Sequence, residues 1–220
     1  MPFKYKKLGK DKLIRFAAIA TFPNVVELDT AHKGKWGENF FSNDQPLVLE
    51  LGCGRGEYTV SMGRFFPEKN FIGVDIKGSR IWKGAKTALE EEMPNIGFLR
   101  TQIEQIADHF GEEEVSEIWI TFPDPQPQIS RIRKRLTAPR FIHSYRHILK
   151  PNGIIHLKTD NDGLYQYTLE VIASEGLKLI KHTHDLYQSE LLDEVLSIQT
   201  TYEKIYRDQG KNINYIQFGF

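Results

Sequence analysis

The sequence predicts an α/β protein with a Rossmann-like, mostly parallel sheet, helices on both faces and an antiparallel strand at its C-terminal end. Three observations predict it. Short apolar runs alternate with segments of helical periodicity along most of the 220 residues. The run Leu47-Val48-Leu49-Glu50-Leu51 empties into Gly52-Cys53-Gly54-Arg55-Gly56, and the next run, Phe71-Ile72-Gly73-Val74, ends on Asp75. The closing stretch 213–220 alternates and is aromatic, as a strand pairing antiparallel within or beside the sheet would be.

Taken in order, residues 1–45 are basic and aromatic with weak periodicity and read as an N-terminal extension to a domain spanning 46–220. Strands are expected at 47–51, 70–75, 96–100, 117–122, 153–159 and 177–182, with helices between them. From Ser79, the residues Ile81, Ala85, Ala88 and Leu89 recur at helical spacing, and Pro94-Asn95 punctuates the end. Residues 139–149 repeat the pattern with Phe141, Ile142, Tyr145, Ile148 and Leu149. Lys150-Pro151-Asn152-Gly153 then demands a turn.

Bulk properties fit a soluble enzyme without identifying one. Basic and acidic residues balance at 29 each, so any affinity for nucleic acid must come from local patches. The single cysteine, Cys53, excludes an internal disulfide, and no apolar run approaches the roughly 18 residues of a membrane helix. A reducing cytoplasm is the expected location, with no membrane partner. Monomer and homodimer are equally compatible with the sequence.

An apolar strand ending in closely spaced glycines lets the backbone turn tightly and approach a ligand. Asp75, about 20 residues further on, is placed for the hydroxyls of a ribose. The glycine spacing separates two cofactors that share this architecture. A dinucleotide needs G-x-G-x-x-G, and this chain has Glu57 where the third glycine should fall, a carboxylate that would repel pyrophosphate. Glu50 inside the strand end suits a cationic ligand instead, such as the amino group and sulfonium of S-adenosylmethionine. Cys53, between two glycines, reads as a small turn residue rather than a nucleophile. His156, His182 and His184 form no metal constellation, and His156 reads as strand packing or a local hydrogen bond. Trp36, Trp82 and Trp119 read as core or interface.

A second signal is Ile118-Trp119-Ile120-Thr121-Phe122-Pro123-Asp124-Pro125-Gln126-Pro127-Gln128. Prolines on both sides of Asp124 restrict the backbone and hold one carboxylate over the sheet edge. Between Pro125 and Thr159 there is no acid, while Arg131, Arg133, Lys134, Arg135, Arg140, Arg146, Lys150 and Lys158 all fall inside. Such a band would neutralise the phosphates of a polynucleotide. Lys4, Lys6, Lys7, Lys10, Lys12 and Arg15 are read as a second basic arm. A small-molecule methyltransferase and a non-catalytic RNA-binding module share parts of this pattern, and on the residues alone both stay open.

From Lys33-Gly34-Lys35-Trp36 to the C-terminus the chain resembles the bacterial tRNA (guanine-N7)-methyltransferases, a class I S-adenosylmethionine-dependent family that modifies a guanine in the tRNA variable loop. The marks are the Glu50 glycine loop, Phe122-Pro123-Asp124-Pro125 followed by Arg131-Ile132-Arg133-Lys134-Arg135-Leu136, Leu149-Lys150-Pro151-Asn152-Gly153, His156-Leu157-Lys158-Thr159-Asp160, and Thr200-Thr201-Tyr202-Glu203 ahead of Gly210. The resemblance implies that Glu50, Gly52, Gly54, Asp75, Gln102 and Asp124 line the cofactor site, with Gln102 where many members have an aspartate. It implies that Gln128, Arg131, Arg133, Lys134, Asp160, Thr200, Thr201, Tyr202 and Glu203 meet tRNA. Gln126 and Gln128 replace the family's usual Trp and Lys, so tRNA contact must lean on the residues from Arg131 to Arg135. The implied catalytic residue is Asp124, and no metal is implied. Asp160 or Glu203 would read the donors on the Watson–Crick edge of guanine.

Overall fold

The computed structural model describes residues 2–220, with side chains from residue 9 onward; Lys4, Lys6 and Lys7 of the second basic arm therefore have side chains outside the described residues. The strands are β1 (Val25–Glu27), β2 (Leu47–Leu51), β3 (Asn70–Val74), β4 (Ile96–Arg100), β5 (Val115–Thr121), β6 (Leu149–Thr159), β7 (Lys178–Thr183) and β8 (Asn214–Gly219). The helices are α1 (Pro2–Ala18), α2 (Glu57–Phe65), α3 (Gly78–Glu90), α4 (Ile106–His109), α5 (Pro139–Ile148), α6 (Asp162–Ser174) and α7 (Thr201–Asp208).

One sheet holds all eight strands in the order β1-β4-β3-β2-β5-β6-β8-β7. β8 is antiparallel to both β6 and β7, and every other pairing is parallel. From β2 the chain winds outward through β3 to β4, then returns to place β5 on the other side of β2. The order reverses there, so the carboxyl ends of β2 and β5 flank a crevice in which open α/β sheets bind ligands.

Period-two alternation explains what each face carries. Leu47, Leu49, Leu51, Ile118, Ile120, Ile155 and Leu157 point into an apolar cluster with Phe141, Ile142 and Tyr145 of α5 and Leu164 of α6. Val48, Trp119 and Tyr215 point the other way, into a cluster with Tyr58 and Met62 of α2 and Ile81 and Ala85 of α3. Glu50, Thr121, His156 and Lys158 alternate onto that second face, and all four are buried. The second face therefore carries a row of buried polar and ionisable side chains along the sheet.

The N-terminal segment is more closely built in than its weak periodicity suggests. β1 pairs in parallel with β4, and Val26, Trp36 and Phe41 belong to the first core cluster. Trp36 is fully buried, stacks on Phe110 with centroids 5.2 Å apart, and donates its indole N–H to the His109 carbonyl at 2.8 Å. Backbone N–H groups of Gly34 and Trp36 donate to the Glu114 carboxylate at 2.8 Å each, which fixes the Lys33-Gly34-Lys35-Trp36 turn. Lys10, Lys12 and Arg15 are exposed, with the Arg15 guanidinium 5.1 Å over the Trp82 ring.

The turn expected at 150–153 is an excursion within β6. Leu149 pairs with Val115 and Ile154 with Glu117, so the intervening residues loop out, with Asn152 at φ 63°. His156 lies flat on Trp119 at 3.9 Å, bonds the Tyr215 hydroxyl at 2.7 Å through Nδ1 and sits 3.2 Å from Glu117. That is strand packing with a local hydrogen bond. Among the described residues no helix is long and apolar enough to cross a membrane, and no group of three or more His, Cys, Asp or Glu is placed to hold a metal ion.

Candidate active site

The glycine loop is folded against the next strand by backbone bonds. Gly52 and Cys53 both donate to the Val74 carbonyl, at 2.8 and 3.0 Å, and Gly54 donates to Asp75 Oδ2 at 3.0 Å. The other Asp75 oxygen accepts from the Lys77 N–H at 2.8 Å. Gly52, Gly54 and Gly56 have φ of 77°, 56° and 69°, a region closed to most side chains. At Gly56 space is also decisive: a Cβ there would lie 2.6 Å from the Phe98 ring and 3.2 Å from Gly84 Cα. The absence of side chains at Gly56 and Gly84 lets α2 start close against α3. A Cβ on Gly54 would meet only the loop's own Gly52 carbonyl at 4.0 Å, so the loop face is open to a ligand.

Glu50 is 2 % exposed. Its Oε2 accepts from the Thr59 N–H at 2.8 Å and from the Thr59 hydroxyl, and Oε1 accepts from the Thr121 hydroxyl at 2.5 Å. Burial pushes its pKa up to about 7, against the lowering effect of these three donors. No Lys, Arg or His lies in ion-pair contact with it among the described residues. Cys53 is buried beside Glu50 and Asp75, and burial followed by those two charges raises its thiol pKa well above the usual range, as expected of a turn residue rather than a nucleophile.

β5 ends at Thr121 and the chain breaks sharply through Phe122 (φ 48°), Pro123, Asp124, Pro125 and Gln126 (φ 44°). Asp124 is exposed and its Oδ1 accepts from the Gln126 N–H at 3.0 Å. Arg135 braces the loop from behind, donating through Nε to the Pro125 carbonyl at 3.0 Å while its guanidinium stacks 4.5 Å over Tyr167. Leu136, which follows it, reaches to 3.9 Å from where a Gly52 Cβ would sit and so packs on the glycine loop. Gln102 is exposed at the end of β4, opening the turn Ile103–Gln105, and Asp160 directly follows β6. Glu50, Gly52, Gly54, Asp75, Gln102, Asp124 and Asp160 thus share the carboxyl rim of the parallel strands.

The basic band divides. Ile129–Lys134 forms a short 3-10 helix that exposes Arg131, Arg133 and Lys134, with no acidic partner for them among the described residues; Gln128 precedes it, also exposed. Arg135 is turned inward as described. Arg140 pairs with Glu104 at 3.1 Å, and Arg146 lies 4.4 Å over the Phe220 ring. Lys158 is fully buried, so it is no phosphate contact: alternation along β6 turns it to the sheet's polar face.

The 200–203 segment divides as well. Tyr202 is 48 % exposed, whereas Glu203 is fully buried. Glu203 accepts from Lys158 Nζ at 3.0 Å and from the Tyr187 hydroxyl at 2.9 Å, and Lys158 also donates to the carbonyls of Leu196 at 2.8 Å and Ile198 at 3.1 Å. Burial raises the Glu203 pKa and lowers that of Lys158, in each case against their mutual attraction. The expectation that Glu203 reads a base edge is therefore corrected: its oxygens are committed inside the protein. Asp160, 14 % exposed, sits 2.5 Å from Lys211. The Thr200 hydroxyl caps α7 by accepting from the Glu203 N–H at 3.1 Å, and Thr201 bonds Glu57. Sequence reasoning missed the Lys158–Glu203 pair and the Glu57–Thr201 bond. The one available signal was that His156 and Lys158, two residues apart on a strand, share a face.

Comparison with known proteins agrees with this geometry. A family profile described as a putative methyltransferase matches residues 44–216. The chain is 52 % identical over 219 residues to the tRNA (guanine-N(7)-)-methyltransferase of Bacteroides thetaiotaomicron, covering 96 % of this chain and 86 % of that protein. It is 51 % identical to the protein of the same name from Christiangramia forsetii, covering 96 % and 98 %. The Brevibacillus brevis protein of that name is 31 % identical, with 90 % and 91 % covered. Among solved structures, the 16S rRNA methyltransferase KamB superposes with a TM-score of 0.63 at 17 % identity, covering 83 % of this chain and 91 % of that one. An antibiotic-related methyltransferase superposes with a TM-score of 0.62 at 11 % identity, covering 90 % and 97 %. At these identities the two structures speak to fold alone.

Proposed function

The chain belongs to the tRNA (guanine-N7)-methyltransferase family, and from that premise we propose how its own residues move a methyl group from S-adenosylmethionine to N7 of a variable-loop guanine. The observation that carries the reading is the shared rim: a glycine loop flanked by Glu50 and Asp75 on one side of the switch point, with Asp124 on the neighbouring strand end. The donor set fits the cofactor. Glu50 is a buried carboxyl with no cationic partner, the Gly54 face is open, and Asp75 and Gln102 add acceptors for hydroxyl and amine groups. When bound, S-adenosylmethionine supplies an electrophilic methyl on a sulfonium.

Guanine N7 carries a lone pair and no proton, so no residue has to act as a general base. The protein's task is alignment, worth up to about 7–11 kcal/mol in well-oriented systems. Negative charge beside the purine, which becomes cationic as it accepts the methyl, adds to this. Asp124 is suited to that role because it is exposed on a loop braced by Arg135. On this reading Arg131, Arg133 and Lys134 meet phosphates, the exposed Gln128 and Tyr202 add further contacts to tRNA, and Asp160 reads the base. Methyl incorporation into unfractionated tRNA from a strain lacking the enzyme tests the assignment. Labelled tRNA is expected, and labelling of small molecules alone would contradict it.

Glu50 gives a pH prediction. Its folded-state pKa, about 7, lies above the ordinary 4.5, so its proton-linked contribution to stability is fully present below about pH 4.5 and is lost as pH rises through about 7. A cationic ligand selects the ionised form, so binding of S-adenosylmethionine at pH 6 should release a proton and tighten toward neutral pH. Calorimetry in two buffers of different ionisation enthalpy checks this: the apparent enthalpy should differ between buffers for the wild type and not for Glu50→Gln. Equal enthalpies for the wild type would contradict it.

Arg133→Ala and Lys134→Ala should each weaken tRNA binding and lower the slope of log affinity against log salt by about one unit. An unchanged slope would show that these side chains do not meet phosphate.

A further inference from the structure

The 200–203 segment is tied to the first turn of the helix that leaves the glycine loop. Glu57, the first residue of α2, accepts from the Thr201 N–H at 2.7 Å and from the Thr201 hydroxyl, engaging both carboxylate oxygens across 144 positions of sequence. Its neighbour Tyr58 donates to the Val195 carbonyl at 2.9 Å. Thr201 begins α7, whose first N–H groups have no partner inside the helix, so Glu57 supplies from outside a cap that Thr200 supplies from within. One carboxylate thereby lies in the first turn of α2 and at the N-terminus of α7, and both helix dipoles favour it there.

We propose that Glu57 is a positioning residue that couples the two substrates: through its bond to Thr201, occupancy of the glycine loop by the cofactor sets the 200–203 segment for tRNA. This rests on the reading that the segment contacts tRNA. Coupling of this kind is reciprocal, so tRNA must tighten the cofactor by the same factor that the cofactor tightens tRNA. Glu57 touches neither reacting atom; it acts through Thr201.

The test uses S-adenosylhomocysteine, which cannot react, titrated into the full chain with and without unmodified tRNA transcript. The wild type should bind it about tenfold more tightly with tRNA present. Glu57→Ala should bring that ratio near one and raise KM for tRNA about tenfold, with a much smaller change in kcat. Thr201→Val removes the hydroxyl bond and keeps the backbone N–H bond, so it should lower the ratio only part of the way; the double variant should be no worse than Glu57→Ala alone, and Glu57→Gln, which keeps one acceptor, should likewise retain part of the ratio. The proposal is overturned if the wild-type ratio is one or if Glu57→Ala keeps the wild-type ratio. It is also overturned if that variant loses S-adenosylhomocysteine affinity equally with and without tRNA, the mark of a purely structural role. Failure of the functional reading is separately visible, as a wild type that does not methylate tRNA.

Discussion

Asp124→Asn is expected to lower the rate constant for methyl transfer by about 10²–10³-fold while changing the dissociation constant for S-adenosylmethionine only slightly. Asparagine keeps the side-chain oxygen that accepts from the Gln126 N–H, and it leaves the Arg135 brace on the Pro125 carbonyl untouched. The loop should therefore hold its shape, and the substitution isolates charge. Asp124→Ala removes the turn bond as well and should be at least as slow. In single-turnover experiments both variants should be slow at saturating cofactor and tRNA. Near-normal single-turnover rates would remove Asp124 from the mechanism, whatever their effect on binding.

Lys158→Met should cost about 3–5 kcal/mol of folding stability, read as a lower urea midpoint with an unchanged m-value. The substitution strands Glu203 without a cation at a position of no solvent exposure and leaves the Leu196 and Ile198 carbonyls without their donor. Protonation of Glu203 offers the variant partial relief. Its folded-state pKa is raised, so the relief is complete at low pH and lost as pH rises, and the deficit should grow from acid to alkaline buffer. A double variant, Lys158→Met with Glu203→Leu, should recover much of the loss, because replacing a buried pair by apolar groups is often neutral. A loss below about 1 kcal/mol for the single variant would mean that this pair does not anchor the 195–203 segment.

What the sequence made legible follows from where the physics is local. The strands at 47–51, 70–74 and 96–100 were readable because parallel strands buried on both faces appear as apolar runs. Three-residue β1 carried no such run and gains its place from pairing with β4, so the sheet's edge was invisible. The glycine loop and Asp75 were legible because their partners lie one supersecondary unit apart. Glu57 and Thr201 were not, because nothing in a linear reading joins residues 144 positions apart. The basic band misled where sequence proximity was taken for surface proximity: Arg131, Arg133 and Lys134 face solvent, whereas Arg135 braces the Asp124 loop and strand alternation buries Lys158. Glu203 stood beside exposed Tyr202 in the same motif and is buried for the same kind of reason, with α7 turning one side chain out and the other in.

The most direct test of methyl transfer to guanine N7 uses tRNA from a strain lacking the enzyme, incubated with the purified protein and S-adenosylmethionine. Borohydride followed by aniline then cleaves the RNA at N7-methylguanosine. One new cleavage at a variable-loop guanine, absent without the cofactor and strongly reduced with Asp124→Asn, is the expected result. Methyl incorporation with no aniline-sensitive site, or cleavage at a guanine outside the variable loop, would contradict it.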